Sequence, residues 1–486
     1  MKQSNKTLSA LSISLATASA LLLSACGDGS EDSPVESKGP LVQAGKFEAK
    51  MTGAWRVLGE GRLIEVDAQS ITSYQETPSF CYRERISVSA AALEGASYQH
   101  SASPSRTAAD IYLDPRQPSS NSLERLAKIP DNCKNAPPSD AASSFKAMQE
   151  MFDLDYAFFK ERGIDWSARM KLLAPKAAAA KDDAALQQVL LQAIDGFNDF
   201  HLTLMHFDPK GEPDFYADSA ASPTVKMLKQ AFAAQSEAAD FYQFEAAWHA
   251  TRQQTVAPQL SAGSNGRVLN GAMVWGKLAG NIGYIELARL SEFAEGANAS
   301  KDIQLIRAEM DRALLALADT KTVIVDIAVN DGGYDHVSAE VAGSFADRRR
   351  PAFSVEQQRP QGRATQQWFV EPRGAKQYLK PVYLLTSDRT VSAGDTLTLF
   401  MRELPNVTHV GQATSGSMSN KLVKSLPGNF LTSLSNEKYR DPRGELFEGR
   451  GIPPKLKLQV FDPTVAGSLS TGHAEALAKL IAMIPQ

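Results

Sequence analysis

Cysteine is nearly absent, with three in 486 residues. That scarcity excludes a disulfide-dense scaffold and any Cys-rich zinc module. An excess of charge of one sign is missing too: 51 Lys+Arg face 55 Asp+Glu, a net charge of −4, so nothing argues for a nucleic-acid partner. The seven histidines include no His-Glu-x-x-His or paired carboxylate–histidine spacing, so no metal site is expected. Phosphate loops and dinucleotide fingerprints are lacking as well, and no cofactor is expected. Solenoid repeats are absent. What is there is a globular composition, 43% hydrophobic and 22% charged, in a chain long enough for about three domains.

The one long apolar run, Leu8 to Leu23, follows Lys2 and Lys6 and ends in Leu23-Ser24-Ala25-Cys26. A basic start, an apolar stretch and small residues at its end make a secretory signal, too short for a transmembrane helix. The placement of Cys26 resembles a bacterial lipoprotein signal. That resemblance implies removal of residues 1–25, lipidation of Cys26 and a chain anchored in the bacterial cell envelope, on the periplasmic face or the outer membrane. An ordinary signal peptide with an incidental cysteine is the alternative. Residues 26–45, rich in Gly, Ser, Asp, Glu and Pro, form a flexible tether. Cys81 and Cys133 are then a structural disulfide, as an oxidising compartment favours, or two reduced buried thiols.

Three further segments follow. Residues 46–137 alternate apolar and polar residues in short runs, as in Arg62-Leu63-Ile64-Glu65-Val66, which indicates a small β domain. Residues 138–275 are helical: Phe145, Met148, Phe152, Tyr156 and Phe159 fall at helical spacing. Gly163 and Asp165 mark an end and a fresh start. A second Ala/Gln-rich helical stretch runs from Thr224 to Arg252. Residues 276–486 alternate strands and helices, giving an α/β domain; Thr322 to Ala328 is apolar enough for a buried parallel strand. Asn281 to Glu286 are expected in the core.

The chemistry centres on Leu384-Leu385-Thr386-Ser387-Asp388-Arg389-Thr390-Val391-Ser392-Ala393-Gly394-Asp395. A buried strand enters a polar turn and Ser392 opens a helix, beside backbone N–H groups able to hold an oxyanion. An N-cap is the ordinary role of such a serine. With no Gly-x-Ser-x-Gly elbow, an α/β-hydrolase is disfavoured.

This segment resembles the nucleophile region of the C-terminal-processing (tail-specific) serine peptidases. Other segments resemble that family's elements in the same order: Asp199-Phe200-His201-Leu202-Thr203, Gly283-Tyr284-Ile285, the loop Asp326-Ile327-Ala328-Val329-Asn330-Asp331-Gly332-Gly333, Gly411 to Gly416, and Glu448-Gly449-Arg450-Gly451-Ile452-Pro453-Pro454. The likeness covers roughly 140–465. It implies an α/β protease domain of the crotonase/Clp-like superhelix type and peptide or protein substrates. One branch of the family uses a Ser-Lys dyad, but the register position here is Ser417, and Lys421 lies outside it. The other branch, similar to the tricorn core, places histidine before the serine and glutamate after it, where His201 and Glu448 stand. The implied roles are Ser392 as nucleophile, His201 as base and Glu448 as its orienter. Gly332 or Gly333, with Ala393, would supply oxyanion N–H groups.

Each residue also has a plainer role. His201 could be a hydrogen-bonded structural histidine, Glu448 a surface partner of Arg450 or Arg443, and the glycines a tight turn. Two departures from the family stand out. Ala328 replaces the loop arginine and can anchor no carboxylate, and no peptide-binding PDZ segment is recognisable. A catalytically silent peptide- or lipid-binding lipoprotein on the same scaffold is therefore the rival reading.

Overall fold

The structure is a computed structural model that describes residues 38–485, apart from 95, 97, 104–105, 115, 119–120, 139, 235–240, 262, 264–266 and 360–361. Cys26 and its leader lie outside the described residues. The chain forms two compact units.

The first unit comprises the chain to Ser219, with Val355–Gln367 and Ser419–Lys438 added from later in the sequence. Its antiparallel sheet of eight strands includes Gly53–Val57, Arg62–Val66, Ser70–Glu76 and Cys81–Ser89 in that spatial order. The sheet buries Leu63 and Tyr74 against Ile129 and Cys133. Cys81 and Cys133 are disulfide-bonded, with Cα atoms 4.4 Å apart.

Three helices follow: Ala141–Asp155, Trp166–Ala178 and Asp183–Ile194, capped by Asp140, Asp165 and Asp182. The apolar spacing that runs on to Phe159 outlasts the first helix, which ends at Asp155 with Tyr156 as its C-cap. Phe159 instead packs its ring 4.8 Å from that of Tyr156 and 5.5 Å from that of Trp166.

A four-stranded antiparallel sheet places Thr203–Phe207 between Pro213–Asp218 and Phe430–Ser435, with Lys421–Ser425 at the far edge. The two late segments also bring in charge. Buried Asp155 accepts from Arg359 Nε at 2.6 Å and lies 3.2 Å from Lys424 Nζ.

Near the end of the interior strand Thr203–Phe207, His206 Nδ1 sits 2.6 Å from Asp214 and Nε2 3.2 Å from Asp183. Partial burial opposes the charged ring, but the hydrogen bonds to Asp214 and Asp183 outweigh it and raise the His206 pKa above 6.5. A raised folded-state pKa stabilises the fold fully below the unfolded value, and the contribution fades as pH rises through the folded value. Thermal unfolding of the natural chain should therefore lose stability as pH climbs past 6.5, relative to His206→Gln. Parallel pH profiles of the two proteins would contradict this.

The second unit holds Ala220–Ser354, Trp368–Met418 and Tyr439–Gln486. Its six-stranded sheet runs Met273–Leu278, Ile282–Leu287, Thr322–Asp326, Val382–Thr386, Val407–Gly411, Leu456–Lys457; the first pair is antiparallel and the rest are parallel. Thr322–Asp326 is buried along its whole length, as its apolar, β-branched composition requires. Tyr284, Ile324 and Val410 of the sheet pack on Leu477 and Leu480 of the last helix, Ser468–Met483. Asn281 is not core: it is exposed, at φ 58°, in the turn before its strand. The parallel register pairs Asp326 with Leu385 and Leu385 with Val410. The loops leaving these strands therefore emerge side by side at the carboxyl edge, where open α/β sheets hold their sites.

Candidate active site

The strand Val382–Thr386 and the helix Ala393–Arg402 meet at Ser392, half-buried, with φ 59° and ψ −119°. A non-glycine residue with positive φ is uncommon and strained, and persists only where its surroundings over-determine it. Here they do. Val329–Asn330 pairs in parallel with Arg389–Thr390. Thr390 Oγ1 donates to Ile327 O at 2.6 Å, Ser387 Oγ donates to Ala328 O, and Val391 N donates to Asn330 O at 3.0 Å. Although Gly-x-Ser-x-Gly is absent, the strained strand-to-helix corner is built all the same.

Ser392 holds the N-cap position, and its own N–H is shared between Asp395 Oδ2 and Ser417 O, each at 3.1 Å. Buried Asp395 also accepts from Gly416 N at 3.1 Å and Ser417 N at 3.2 Å. Burial pushes its pKa up to about 6, against the pull of these donors. Sequence reasoning missed Asp395, although Ser-Ala-Gly-Asp fits the capping-box pattern.

The glycine loop packs directly on this corner. A Cβ on Gly332, which sits at φ 83°, would lie 2.6 Å from Ser392 Cβ and 3.2 Å from Ser392 Oγ. Asn330 fixes the loop: its Nδ2 donates to Leu287 O at 2.8 Å and its Oδ1 accepts from Gly332 N at 2.9 Å. The N–H of Gly332 is thus engaged. Leu290 N donates to Gly332 O and Tyr334 N to Leu290 O, the parallel-bridge pattern in which the N–H of exposed Gly333 points away from Leu290. Ala393 opens the helix, where first-turn N–H groups have no partner within the helix. Ala328 is wholly buried in the apolar core, and the guanidinium serving this loop comes from Arg389, 3.0 Å from Asp331.

Glu448 is buried, and its Oε2 accepts from Met418 N at 2.9 Å. Met418 directly follows Ser417, whose carbonyl holds the Ser392 N–H. Arg443 and Arg450 pair elsewhere, with Asp441 at 2.7 Å and Glu445 at 3.7 Å. Ser392, Ala393, Gly332, Gly333 and Glu448 thus belong to one cluster in the second unit.

His201 belongs to the first unit, in the turn entering Thr203–Phe207. Its N–H donates to Asp199 Oδ1 at 2.9 Å and its carbonyl accepts from Ser433 Oγ at 2.6 Å. Asp199 is itself held by Tyr156 OH at 2.9 Å and Ser435 Oγ at 3.1 Å. Burial lowers the His201 pKa to about 4; Asp199 opposes the shift, while Lys421 and Arg162 add to it. The imidazole is therefore neutral at pH 7, the form a general base needs. Among the described residues, no group of three or more His, Cys, Asp or Glu side chains is arranged to hold a metal ion.

Such a corner serves hydrolases whose nucleophile is a serine hydroxyl. The comparisons narrow that class. Residues 281–458 match the family described as Peptidase family S41. The carboxy-terminal processing protease CtpA of Bacillus subtilis (strain 168) is 23% identical over 142 residues, 29% of this chain and 29% of that protein. The chain thus spans a little under a third of that protein's length. A putative peptidase from Parabacteroides merdae has a similar fold, with TM-score 0.50 and 18% identity over 72% of this chain and all of that one. Mature CPAF aligns with TM-score 0.47 and 13% identity, over 70% of this chain and 96% of that one. The family match and the curated relative support a serine peptidase hydrolase.

Proposed function

We propose that the protein hydrolyses peptide bonds through a Ser-His-Glu acyl-enzyme mechanism. Ser392 Oγ attacks the substrate carbonyl while His201 takes its proton. The C–N bond then breaks, and His201 returns the proton to the leaving amine. Water, deprotonated by His201, hydrolyses the ester and frees Ser392. Glu448 orients the imidazole and stabilises its charged form. The oxyanion is held by the N–H groups of Gly333 and Ala393, since that of Gly332 is committed to Asn330. The substrate is a peptide or protein. The chain acts from a lipid anchor at Cys26 in the bacterial envelope, and its second unit is of the crotonase/Clp-like superhelix type.

The observation that carries this reading is the strained Ser392, wedged against Gly332 at the start of a helix. Incubation with a fluorophosphonate probe, followed by peptide mapping, tests it. One phosphonyl group should appear on the peptide containing Ser392. An unlabelled native protein, or an adduct elsewhere, rejects the assignment.

A further inference from the structure

The turn before the nucleophile holds a second set of contacts, made with a helical hairpin outside the family-matched segment. Asp388 accepts from Thr224 N at 2.8 Å and Thr224 Oγ1 at 2.6 Å, fixing the start of helix Pro223–Ala233. Arg389, with 5% of its side chain exposed, places Nη2 3.0 Å from Glu245 and 3.0 Å from Asp331. Glu245 lies on helix Phe241–Gln254, and Asp331 immediately precedes Gly332.

The same face of that helix continues along the loop. His249 Nε2 lies 3.8 Å from Asp331, and Arg252 donates to Glu286 at 2.7 Å beside the strand that ends at Asp326. Residues 245, 249 and 252 follow i, i+4, i+7 spacing, so one helical stripe runs along the glycine loop. Trp248, beside that stripe, also anchors the helix, donating to Leu469 O at 2.8 Å.

We infer that Arg389 is a positioning residue, and that the helix Phe241–Gln254 sets the reaction rate by holding, through the Glu245–Arg389–Asp331 bridge, the separation between Ser392 and the oxyanion loop. This rests on the serine-peptidase reading. A guanidinium spans two carboxylates because its donors form a rigid planar fork. Here it links three chain segments: the helix, the glycine loop and the residue three before the nucleophile. Neutralising either acid slackens the link without removing a reacting group. Misplacement of reacting atoms by even an ångström is worth up to about a hundredfold in rate.

The experiment uses the full chain with Glu245→Gln, Asp331→Asn, the double variant and Ser392→Ala. A fluorophosphonate progress curve gives two quantities, the end point (the fraction competent) and the rate constant at saturating probe. Each single variant should reach the native end point at roughly a tenth of the native rate or less. The double variant should be no slower than the slower single one, because both act through Arg389. A native rate in both single variants overturns the inference. So does a reduced end point reached at the native rate, which signals only a structural role, and so do losses that multiply in the double variant. An unlabelled native protein defeats the peptidase reading itself, whereas a labelled one with indifferent variants defeats this inference alone.

Discussion

Ser392→Ala removes essentially all peptide hydrolysis, on the order of 10⁶-fold as for loss of a triad nucleophile, and leaves the fold in place. The fold survives because Ser392 is held through its backbone. Its N–H bonds to Asp395 and Ser417 remain, and alanine meets the same strain at φ 59° that serine does. Ser392→Gly separates the two effects. It is equally inactive, but it relieves about 1 kcal/mol of backbone strain and raises Tm by about 1–2 °C. Steady-state assays and thermal unfolding of the three proteins check both statements. Turnover by Ser392→Ala within about a hundredfold of the native rate would remove Ser392 from the mechanism, because the oxyanion donors alone sustain only a small residual rate.

Gly332→Ala has the second-largest expected effect. The added methyl meets Ser392 Cβ at 2.6 Å and Val391 O at 3.0 Å, and the backbone there sits at φ 83°. Neither neighbour yields easily. Val391 N is tied to Asn330 O, and the Ser392 N–H is tied twice. The loop must back away, and Gly333 moves with it. Overpacking of this kind destabilises by about 1–3 kcal/mol, while displacing an oxyanion donor lowers kcat by about 10²–10³-fold. Were the glycine only a turn former, Tm would fall and the folded fraction would turn over at the native kcat. Active-site titration alongside kcat decides between these.

Much of the second unit was legible because its signals are local. The apolar run at Thr322–Asp326 and the turn before Ser392 each span a few residues, within reach of periodicity and turn chemistry. Asp395 was half legible. Its capping-box spacing is visible, but its bonds to Gly416 and Ser417 join positions over twenty residues apart. Arg389 and Glu245 had no signal at all, because an ion pair between residues 144 apart leaves no periodic trace. Phe159 misled for a physical reason: its spacing reports burial among aromatic rings, which a turn satisfies as well as a helix does. The plainer role of Glu448, a surface ion pair, failed because its burial depends on the Met418 turn and not on its own neighbours.

The late segments of the first unit also matter for synthesis. Lys438, the end of the second insertion, is 219 residues beyond Ser219. At about 20 residues per second or slower, the ribosome needs on the order of ten seconds to close that interval. Until then the strand Thr203–Phe207 lacks its neighbour Phe430–Ser435, and Asp155 lacks both Arg359 and Lys424. An open strand edge and an uncompensated buried acid are aggregation and misfolding hazards. The four-stranded sheet and the Asp155 cluster therefore close only when nearly all of the chain has been made, long after the eight-stranded sheet before them is complete.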